Sequence, residues 1–248
     1  MRKILFALAL AVVATACHNN EEGILSAQEG KIAINASTRG EVGKSGANES
    51  GVFVLENTPK AEELKVEIVG NDQTLTWDTL AAYDKEVENG MLFTSAPYTV
   101  TLSHGEKGAK GWSKPYFEGS ASVSVPGYGL TVEANVEVVL RNSIIAIETT
   151  EQFDGYFPKS SFKVEGIDWD ATKKELLFLN AGEVTINCTA IRQTGTTTEL
   201  QSKVTLKPTT RHTVVFDLST AGNATVSVVF DDEIVETIEL EVELNQNA

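Results

Sequence analysis

The stretch Lys31-Ile32-Ala33-Ile34-Asn35-Ala36 decides the fold class, because its apolar side chains recur at every second position. Period two places Ile32, Ile34 and Ala36 on one face, which is typical of a half-buried β-strand. Similar segments follow along the chain at intervals of roughly 8–12 residues with turn residues between them, a spacing typical of β-sandwiches. The sequence therefore predicts an all-β protein.

Length and patterning predict two sandwiches in tandem. The chain has 248 residues, and two domains of about 110 residues fit the usual domain size. The run Ile144-Ile145-Ala146-Ile147 is apolar at every position, which indicates a strand buried on both faces or lying between two domains. We therefore predict antiparallel Ig-like sandwiches at residues 24–141 and 142–248.

Local patterns predict the connections. Asn71-Asp72 marks a tight turn between strands, and Gly195 a hairpin turn between residues 184–192 and 198–206. Residues 38–51 are rich in Gly, Ser, Asn, Lys and Glu, which predicts a loop or linker. We also expect a short helix at residues 81–87 and an aromatic corner at residues 152–160 that fills the space between sheets.

The N-terminus carries a secretory signal. Arg2 and Lys3 precede an apolar run at residues 4–13, which is too short to span a bilayer as a helix. The small residues before Cys17 resemble the lipobox of bacterial lipoproteins, in which the cysteine sulfur is acylated and the peptide is cut in front of it. We predict a signal peptide at residues 1–16 and a lipidated Cys17. The alternative is a soluble secreted protein with an ordinary signal cleaved after Ala16.

The residues after the cysteine indicate the destination. Glu21 and Glu22 stand in a tether at residues 17–23, and this resembles the acidic export tag of Bacteroidetes lipoproteins at the cell surface. The resemblance implies an outer-membrane protein held by its N-terminal lipid, since buried acyl chains stabilise such attachment. A solvated acidic tether without an export role is the alternative.

Charge excludes one class of partner. The whole chain has a net charge of −15 and the signal peptide carries two of the cations and no acids, so the mature net charge is −17. A body this acidic repels anionic partners, both nucleic acid and anionic lipid headgroups, and the sequence has no basic patch to reverse that average.

The search for catalytic chemistry finds little. His18, His104 and His212 are not at metal-ligand spacing from one another or from Cys188, and no metalloprotease, esterase or phosphate-loop motif is present. We predict no enzyme, no cofactor and no metal site. Acids at Asp168-Trp169-Asp170 and Asp231-Asp232-Glu233 offer oxygen ligands of the kind calcium prefers, but neither group has the ligand spacing of an EF-hand, and we interpret both as solvated turns.

A family resemblance emerges from several motifs together. The lipobox, the segment around Arg39, and then a strand into Trp77 and the box Lys114-Pro115-Tyr116-Phe117-Glu118-Gly119 before Leu140-Arg141-Asn142 resemble the Bacteroidetes lipoproteins grouped as domain-of-unknown-function family 4493. Ala96-Pro97 departs from the glycine that the family usually has before the strand tyrosine. The resemblance implies paired β-sandwiches, distantly fimbrillin-like, and no established activity.

Aromatic residues suggest where a ligand could bind. Flat rings stack on sugars, and the rings considered are Trp77, Trp112, Trp169, Tyr116 and Phe117; we name Trp112, Tyr116 and Phe117 as candidate ligand contacts. Trp112 lies among Gly, Lys and Ser residues, so we expect it at an exposed loop tip. Packing in the sandwich core is the alternative for all three.

Two further residues are candidate modification sites. Arg39 resembles in position the arginine after which type V pilin precursors of the same phylum are cut, an event that opens a groove for a neighbour's strand. Asp78-Thr79-Leu80 resembles the Bacteroidetes O-glycosylation signal, which makes Thr79 a candidate glycan attachment site.

The sequence thus predicts a surface-exposed, lipid-anchored module that binds glycans or other surface proteins without catalysis. The alternatives are a fimbrillin-like pilus subunit or tip protein processed after Arg39, and a glycan-degrading enzyme or accessory glycan-binding protein. The oligomeric state and the identity of the ligand are left open.

Overall fold

The computed structural model describes residues 28–45, 51–220, 223–230 and 233–241. These residues form strands almost throughout, which confirms the all-β prediction. In chain order the strands are β1 (Glu29–Arg39), β2 (Glu41–Ser45), β3 (Val52–Val54), β4 (Lys65–Gly70), β5 (Gln73–Trp77), β6 (Phe93–Thr94), β7 (Pro97–His104), β8 (Gly111–Trp112), β9 (Phe117–Ser124), β10 (Thr131–Leu140), β11 (Ser143–Thr149), β12 (Lys159–Val164), β13 (Ile167–Trp169), β14 (Leu177–Leu179), β15 (Gly182–Ile191), β16 (Thr197–Leu206), β17 (Thr210–Thr220), β18 (Asn223–Phe230) and β19 (Glu233–Glu241).

The strands form three sheets. A seven-stranded sheet has the order β5-β4-β7-β9-β10-β1-β6. An eight-stranded sheet runs β19-β18-β17-β11-β14-β8, with β2 paired to β17 and β3 paired to β2. A four-stranded sheet has the order β13-β12-β15-β16, which contains the predicted hairpin across Gly195. Strands β2, β3 and β8 come from the N-terminal half but join the sheet built mainly by the C-terminal half.

Three pairings are parallel, although the sequence predicted antiparallel sheets. They are β1 with β10, β11 with β17, and β17 with β2. Period two reports which side chains share a face but not the direction of the neighbouring strand. The remaining pairings among the described residues are antiparallel.

Two helices and one helical turn interrupt the strands. Helix α1 (Leu80–Glu88) confirms the helix predicted at residues 81–87, and Thr79 caps it by accepting a hydrogen bond from the Ala82 amide at 3.1 Å. Helix α2 (Glu151–Tyr156) was not predicted, and a 3₁₀ turn lies at Ala61–Glu63. The predicted aromatic corner coincides with α2, where Phe153 and Phe157 are buried in a core.

Strand β1 extends further than predicted. Ile32 is fully buried, while Ile34 and Ala36 pack against the same core, as the alternation indicated. The expected loop at residues 38–51 is wrong over its first part, because residues 38–39 complete β1 and residues 41–45 form β2. Residues 46–50 lie outside the described part of the chain. Long-range pairing with β10 and β17 overrides the low strand propensity of this polar segment.

The eight-stranded sheet lies between two hydrophobic cores. In β11, Ile144 belongs to the core under the seven-stranded sheet, whereas Ile145 and Ile147 belong to the core under the four-stranded sheet. Strand β14 divides in the same way, with Phe178 in the first core and its neighbours Leu177 and Leu179 in the second. This confirms that the uniformly apolar run marks a strand buried on both faces. The two sandwiches therefore share a sheet.

Asn142 holds the junction between β10 and β11 together. Its side chain is buried, its Oδ1 accepts a hydrogen bond from the Tyr116 amide at 2.5 Å, and its Nδ2 donates to the carbonyls of Ala109 at 3.3 Å and Lys114 at 3.4 Å. The Asn142 carbonyl accepts from the Thr209 amide at 3.0 Å. One side chain thus ties the segment before β9 to the start of the C-terminal half, and satisfied buried amides of this kind contribute strongly to stability.

Gly119 offers a test of this packing. A Cβ at this position in β9 would overlap the backbone carbonyl of Glu137 on β10, so Gly119→Ala forces the two strands apart. We expect a loss of about 2–3 kcal/mol in the free energy of unfolding, measured by urea titration. Gly155→Ala is the matched control, because a Cβ there meets no atom within 4 Å, and it should be neutral or stabilising by about 0.4–1 kcal/mol. Equal stability of the two variants would contradict the packing described for β9.

Candidate functional site

A groove opens beside Trp169 at one edge of the C-terminal sandwich. Its volume is about 250 Å³, below the roughly 300–1,000 Å³ of clefts that enclose drug-sized ligands, so it accommodates one small ring. The lining comes from strands β11, β12 and β13 and from the turn that follows β13. It consists of Ile147, Thr149, Ser160, Ser161, Phe162, Trp169 and Ala171.

The lining combines an apolar base with hydroxyl groups. Ile147 and Phe162 are buried parts of the adjoining core, whereas Ser160 and Ser161 are exposed on β12. Among the described residues, neither serine hydroxyl has a hydrogen-bond partner, while Thr149 Oγ1 lies 3.0 Å from Asp154 Oδ2. An apolar surface beside free hydroxyls is suited to a ligand that has both a nonpolar face and polar edges.

Trp169 is held in place by Trp112. The ring centroids are 5.2 Å apart with the planes tilted by 32°, and Trp112 Nε1 donates a hydrogen bond to the Asp168 carbonyl at 3.3 Å. An aromatic pair of this kind contributes about 0.5–1.5 kcal/mol beyond the area it buries. The Lys173 ammonium lies 4.8 Å from the centroid of the Trp112 ring, within the range of a cation–π interaction.

The tryptophan pair closes the open edge of the sandwich. Strand β8, which carries Trp112, is the edge of the eight-stranded sheet, and β13, which carries Trp169, is the edge of the four-stranded sheet. Trp112 therefore does not stand at a loop tip, because it pairs with Leu177 of β14 and is half-buried against the second core. Its flanking glycines and lysines concealed this pairing in the sequence. Trp112 does not line the groove, and it affects the groove only by packing against Trp169.

The other two candidate contacts are buried. Phe117 is fully enclosed in the first core, and Tyr116 is only 7% exposed. Desolvation raises the pKa of the Tyr116 hydroxyl, which donates a hydrogen bond to the Glu118 carboxylate, and this bond lowers the pKa of Glu118. Lys107 adds an ion pair to the same carboxylate at 3.2 Å. Both aromatic residues thus occupy the packing role that was the alternative for them, and neither presents a free ring face.

Arg39 lies at the end of a strand and not in a loop. It pairs with Val139 in the β1–β10 ladder, and its half-exposed guanidinium lies 3.6 Å from the Glu137 carboxylate. Gly40 alone separates β1 from β2. Along its other side, β1 pairs with β6 only through Glu29 and Gly30.

The remaining candidate sites, for modification, metal binding or thiol chemistry, lie in different parts of the chain. Cys17, Asp231 and Asp232 lie outside the described residues. Thr79 uses its hydroxyl to cap α1. Cys188 is buried in the second core, which raises the pKa of its thiol to about 12 and leaves it inert at neutral pH.

Neither acids nor histidines assemble into a reactive cluster in the described part of the chain. No group of three or more His, Cys, Asp or Glu residues there could hold a metal ion. The Asp168 carboxylate pairs with Lys163 at 3.0 Å, and Asp170 accepts hydrogen bonds from Thr172 that lower its pKa. The same ranges contain no helix long and apolar enough to cross a membrane.

The groove was missed at the sequence level. Ser160, Ser161 and Thr149 belong to no motif, and their approach to Trp169 depends on the pairing of β12 with β13, where Phe162 lies opposite Trp169. The Asp-Trp-Asp sequence drew attention to its acids as possible metal ligands and to Trp169 as a ring that could stack on a sugar, but it did not indicate the hydroxyl groups beside that ring. Only the tryptophan content of that loop could have indicated a site.

Several solved structures are similar to this chain, at low identity and with low TM-scores. A fimbrial assembly protein from Parabacteroides distasonis matches with a TM-score of 0.43 and 9% identity over 73% of this chain and 91% of its own. Proteins described as polysaccharide-binding from Bacteroides thetaiotaomicron match with a TM-score of 0.42 and 6% identity, over 85% and 98%. A protein described as an adhesin from Bacteroides ovatus matches with a TM-score of 0.39 and 10% identity, over 86% and 95%.

Sequence comparison gives one assignment. No curated protein matches the sequence significantly. The model of the family described as Domain of unknown function (DUF4493) matches residues 26–246, and the chain belongs to that family.

Proposed function

We propose that this protein is a lipid-anchored protein of the outer cell surface that binds a sugar-containing partner without catalysing a reaction. The groove beside Trp169 carries the proposal, because it combines an aromatic wall with unpartnered hydroxyl groups on a rigid scaffold. A pyranose ring has the complementary chemistry, with C–H groups on its faces and hydroxyls around its rim.

The residues packed around the groove favour ligand binding with little rearrangement of side chains. Trp169 is fixed by its contact with Trp112, and Phe162 is anchored in the core below. Ligands that meet preformed surfaces avoid the cost of ordering side chains. Because the groove accommodates only one small ring, we expect it to recognise a single residue or chain end of a larger glycan, with affinity raised when many copies are displayed on a membrane.

The anchor is the second element of the proposal. Cys17 follows small residues in a lipobox-like setting, and two acids stand shortly after it. Acyl chains contribute about 0.8 kcal/mol per buried CH₂, so two or three together attach a folded body to a bilayer. Surface display would bring the groove into contact with extracellular glycans.

The anchor is tested by Cys17→Ser. We expect the serine variant to incorporate no labelled palmitate and to leave the membrane fraction, because a hydroxyl does not replace the acylated sulfur. Cys188→Ala is the matched control, since Cys188 is the only other cysteine and is buried; it should keep both the label and the membrane attachment. Palmitate on the Cys17→Ser variant would contradict the anchor.

The groove is tested by glycan-array binding followed by calorimetry of the bound glycans. Ser160→Leu fills the groove from an exposed position and leaves both tryptophans in the sequence, and we expect it to weaken binding at least about tenfold, or 1.4 kcal/mol. Trp169→Ala should do the same through loss of the aromatic wall. Trp77→Ala in the other sandwich is the control, because Trp77 is also half-buried against an aromatic ring, at 5.0 Å from Tyr83.

Two results would contradict the proposed binding site. Unchanged affinity in the Ser160→Leu variant would place the ligand elsewhere. Shortening of the bound glycan, detected by mass measurement after long incubation, would indicate an enzyme in place of a binding module.

A second candidate function is a pilus subunit processed after Arg39, and the position of β1 favours it. This strand lies near the edge of its sheet, ends at Arg39 and inserts Ile32 into the core. Its removal would leave β10 with an unpaired edge above an empty apolar slot. A strand from a neighbouring subunit could occupy that slot by strand addition.

Processing is tested by sequencing the N-terminus of protein from the native cell surface. If the chain is a pilus subunit, we expect a start at Gly40, and Arg39→Ala should retain the segment beginning at Cys17. Lys44→Ala, which changes a nearby cation on β2, is the control and should be cut normally. An acylated Cys17 at the start of the wild-type surface protein would exclude this function and favour the anchored module.

A further inference from the structure

The loop between β9 and β10 presents two large apolar side chains to solvent. Tyr128 is 69% exposed and Leu130 is 57% exposed, the highest value and the third-highest among the exposed large hydrophobic residues in the described ranges. We call residues 125–131 the β9–β10 tip. Isolated apolar residues on a surface need no explanation, but Tyr128 and Leu130 are exposed together in one short loop.

The tip is held in an unusual conformation. Gly127, Tyr128 and Gly129 all have left-handed backbones, with φ of 79°, 53° and 67°. Glycine adopts this region freely, whereas a bulky residue there is uncommon. A turn would accept Asn or Gly at position 128 with less strain, so turn formation does not account for the tyrosine. Unfavourable backbone of this kind concentrates at functional sites.

The tip is fixed to the end of the protein from which the anchor segment departs. The Gly129 amide donates to the Glu29 carbonyl at 2.7 Å, and the Lys31 amide donates to the Leu130 carbonyl at 2.8 Å. Gln28 precedes β1 and stands eleven positions after Cys17. Fully extended, that length spans at most roughly 36–40 Å. A lipid on Cys17 therefore keeps Gln28, which lies next to the residues bonded to the tip, within this distance of the lipid attachment point.

Charge distribution favours contact with the bilayer at this place. Residues 119–132 contain no charged side chain, although the whole chain has a net charge of −15. Glu29, Lys31 and Glu133 are the charged residues that flank the tip on β1 and β10. Tyrosine favours the interface between headgroups and hydrocarbon, because its ring is apolar and its hydroxyl is polar.

We propose that Tyr128 and Leu130 insert into the interface of the bilayer that holds the lipid on Cys17, and thereby orient the body on the membrane. The inference rests on the lipid anchor of the proposed function. The lipid supplies attachment, and the tip supplies a second contact that restricts rotation about the tether. An uncharged tip implies that insertion does not require anionic lipid.

The test places a fluorescent reporter at the tip of the full-length acylated protein. Cys17 is acylated and Cys188 is buried, so an introduced cysteine is the only reactive thiol. Tyr128→Cys and Val54→Cys are labelled separately with an environment-sensitive dye and bound to vesicles of phosphatidylethanolamine and phosphatidylglycerol that contain nitroxide-labelled lipid. Val54 is the matched control, since it is 62% exposed and pairs with Glu41 beyond the far end of β1.

We expect a blue-shifted emission and at least about twofold quenching at position 128, with neither change at position 54. The same result should hold in neutral phosphatidylcholine vesicles. A double variant, Tyr128→Asn with Leu130→Ser, removes both apolar side chains and keeps residues that suit the backbone. A dye at Thr131→Cys should be quenched when the tip is otherwise wild-type and should lose that quenching in the double variant. Equal, unquenched emission at positions 54 and 128 would overturn the proposal.

Other outcomes separate this inference from the anchor itself. A blue shift without quenching by lipid nitroxides would show that another protein surface covers the tip, which overturns membrane insertion. If the protein fails to float with vesicles, the anchor is wrong; the same positions are then labelled in a Cys17→Ser background, so that Cys17 adds no second thiol, and the chain is attached to nickel-chelating lipids through an N-terminal histidine tag. Quenching at position 128 in that arrangement would still support the tip, and its absence would reject it.

Discussion

Burial of β11 on both faces is the constraint on which the rest of the structure depends. Ile144 faces one core, and Ile145 and Ile147 face the other, so this strand can lie only in a sheet covered on both sides. Apolar area removed from water contributes about 25 cal/mol per Å², and this strand draws that contribution from two cores at once. A polar substitution in β11 would therefore weaken both sandwiches together.

A shared sheet explains why the chain passes between halves more than once. Strands β2 and β3 leave the first sandwich to join β17, and β8 joins β14. Each of these short strands covers an edge that would otherwise have unpaired backbone groups. The domain boundary predicted near residue 141 stays a prediction; residue 141 lies between β10 and β11, and the pairing of β2, β3 and β8 crosses that position. The two halves are thus interdependent.

The motifs that carry the family resemblance meet at this junction. Phe117 lies opposite Leu140 in the β9–β10 ladder, and the Tyr116 amide donates to Asn142. Gly119 permits close approach of β10. These residues specify how two sandwiches join, and their side chains are directed to packing and hydrogen bonding within the protein. Recognition of the family therefore indicated the fold and gave no ligand.

The limits of the sequence prediction follow from the range of each interaction. Turns such as Asn71-Asp72, where both residues have positive φ, and the capped helix α1 depend on neighbouring residues and were predicted correctly. Strand β2, the parallel pairings and the position of Trp112 depend on partners far along the chain. The groove was therefore predictable only in part. The sequence shows that Trp169 is an aromatic residue, but it does not show which hydroxyl groups lie beside it.

The connection at Gly40 determines what processing after Arg39 could change. Because β2 begins at Glu41 and pairs with β17, the chain beyond the cut would stay attached to the eight-stranded sheet. The loss would be confined to β1, which pairs along its length with β10 and contributes Ile32 to the first core. The β9–β10 tip would lose its hydrogen bonds to Glu29 and Lys31 in the same event. If Cys17 carries a lipid, cleavage would therefore release the body from that lipid and remove the β1 hydrogen bonds of the β9–β10 tip together, so anchored and processed forms would differ in both attachment and exposed surface.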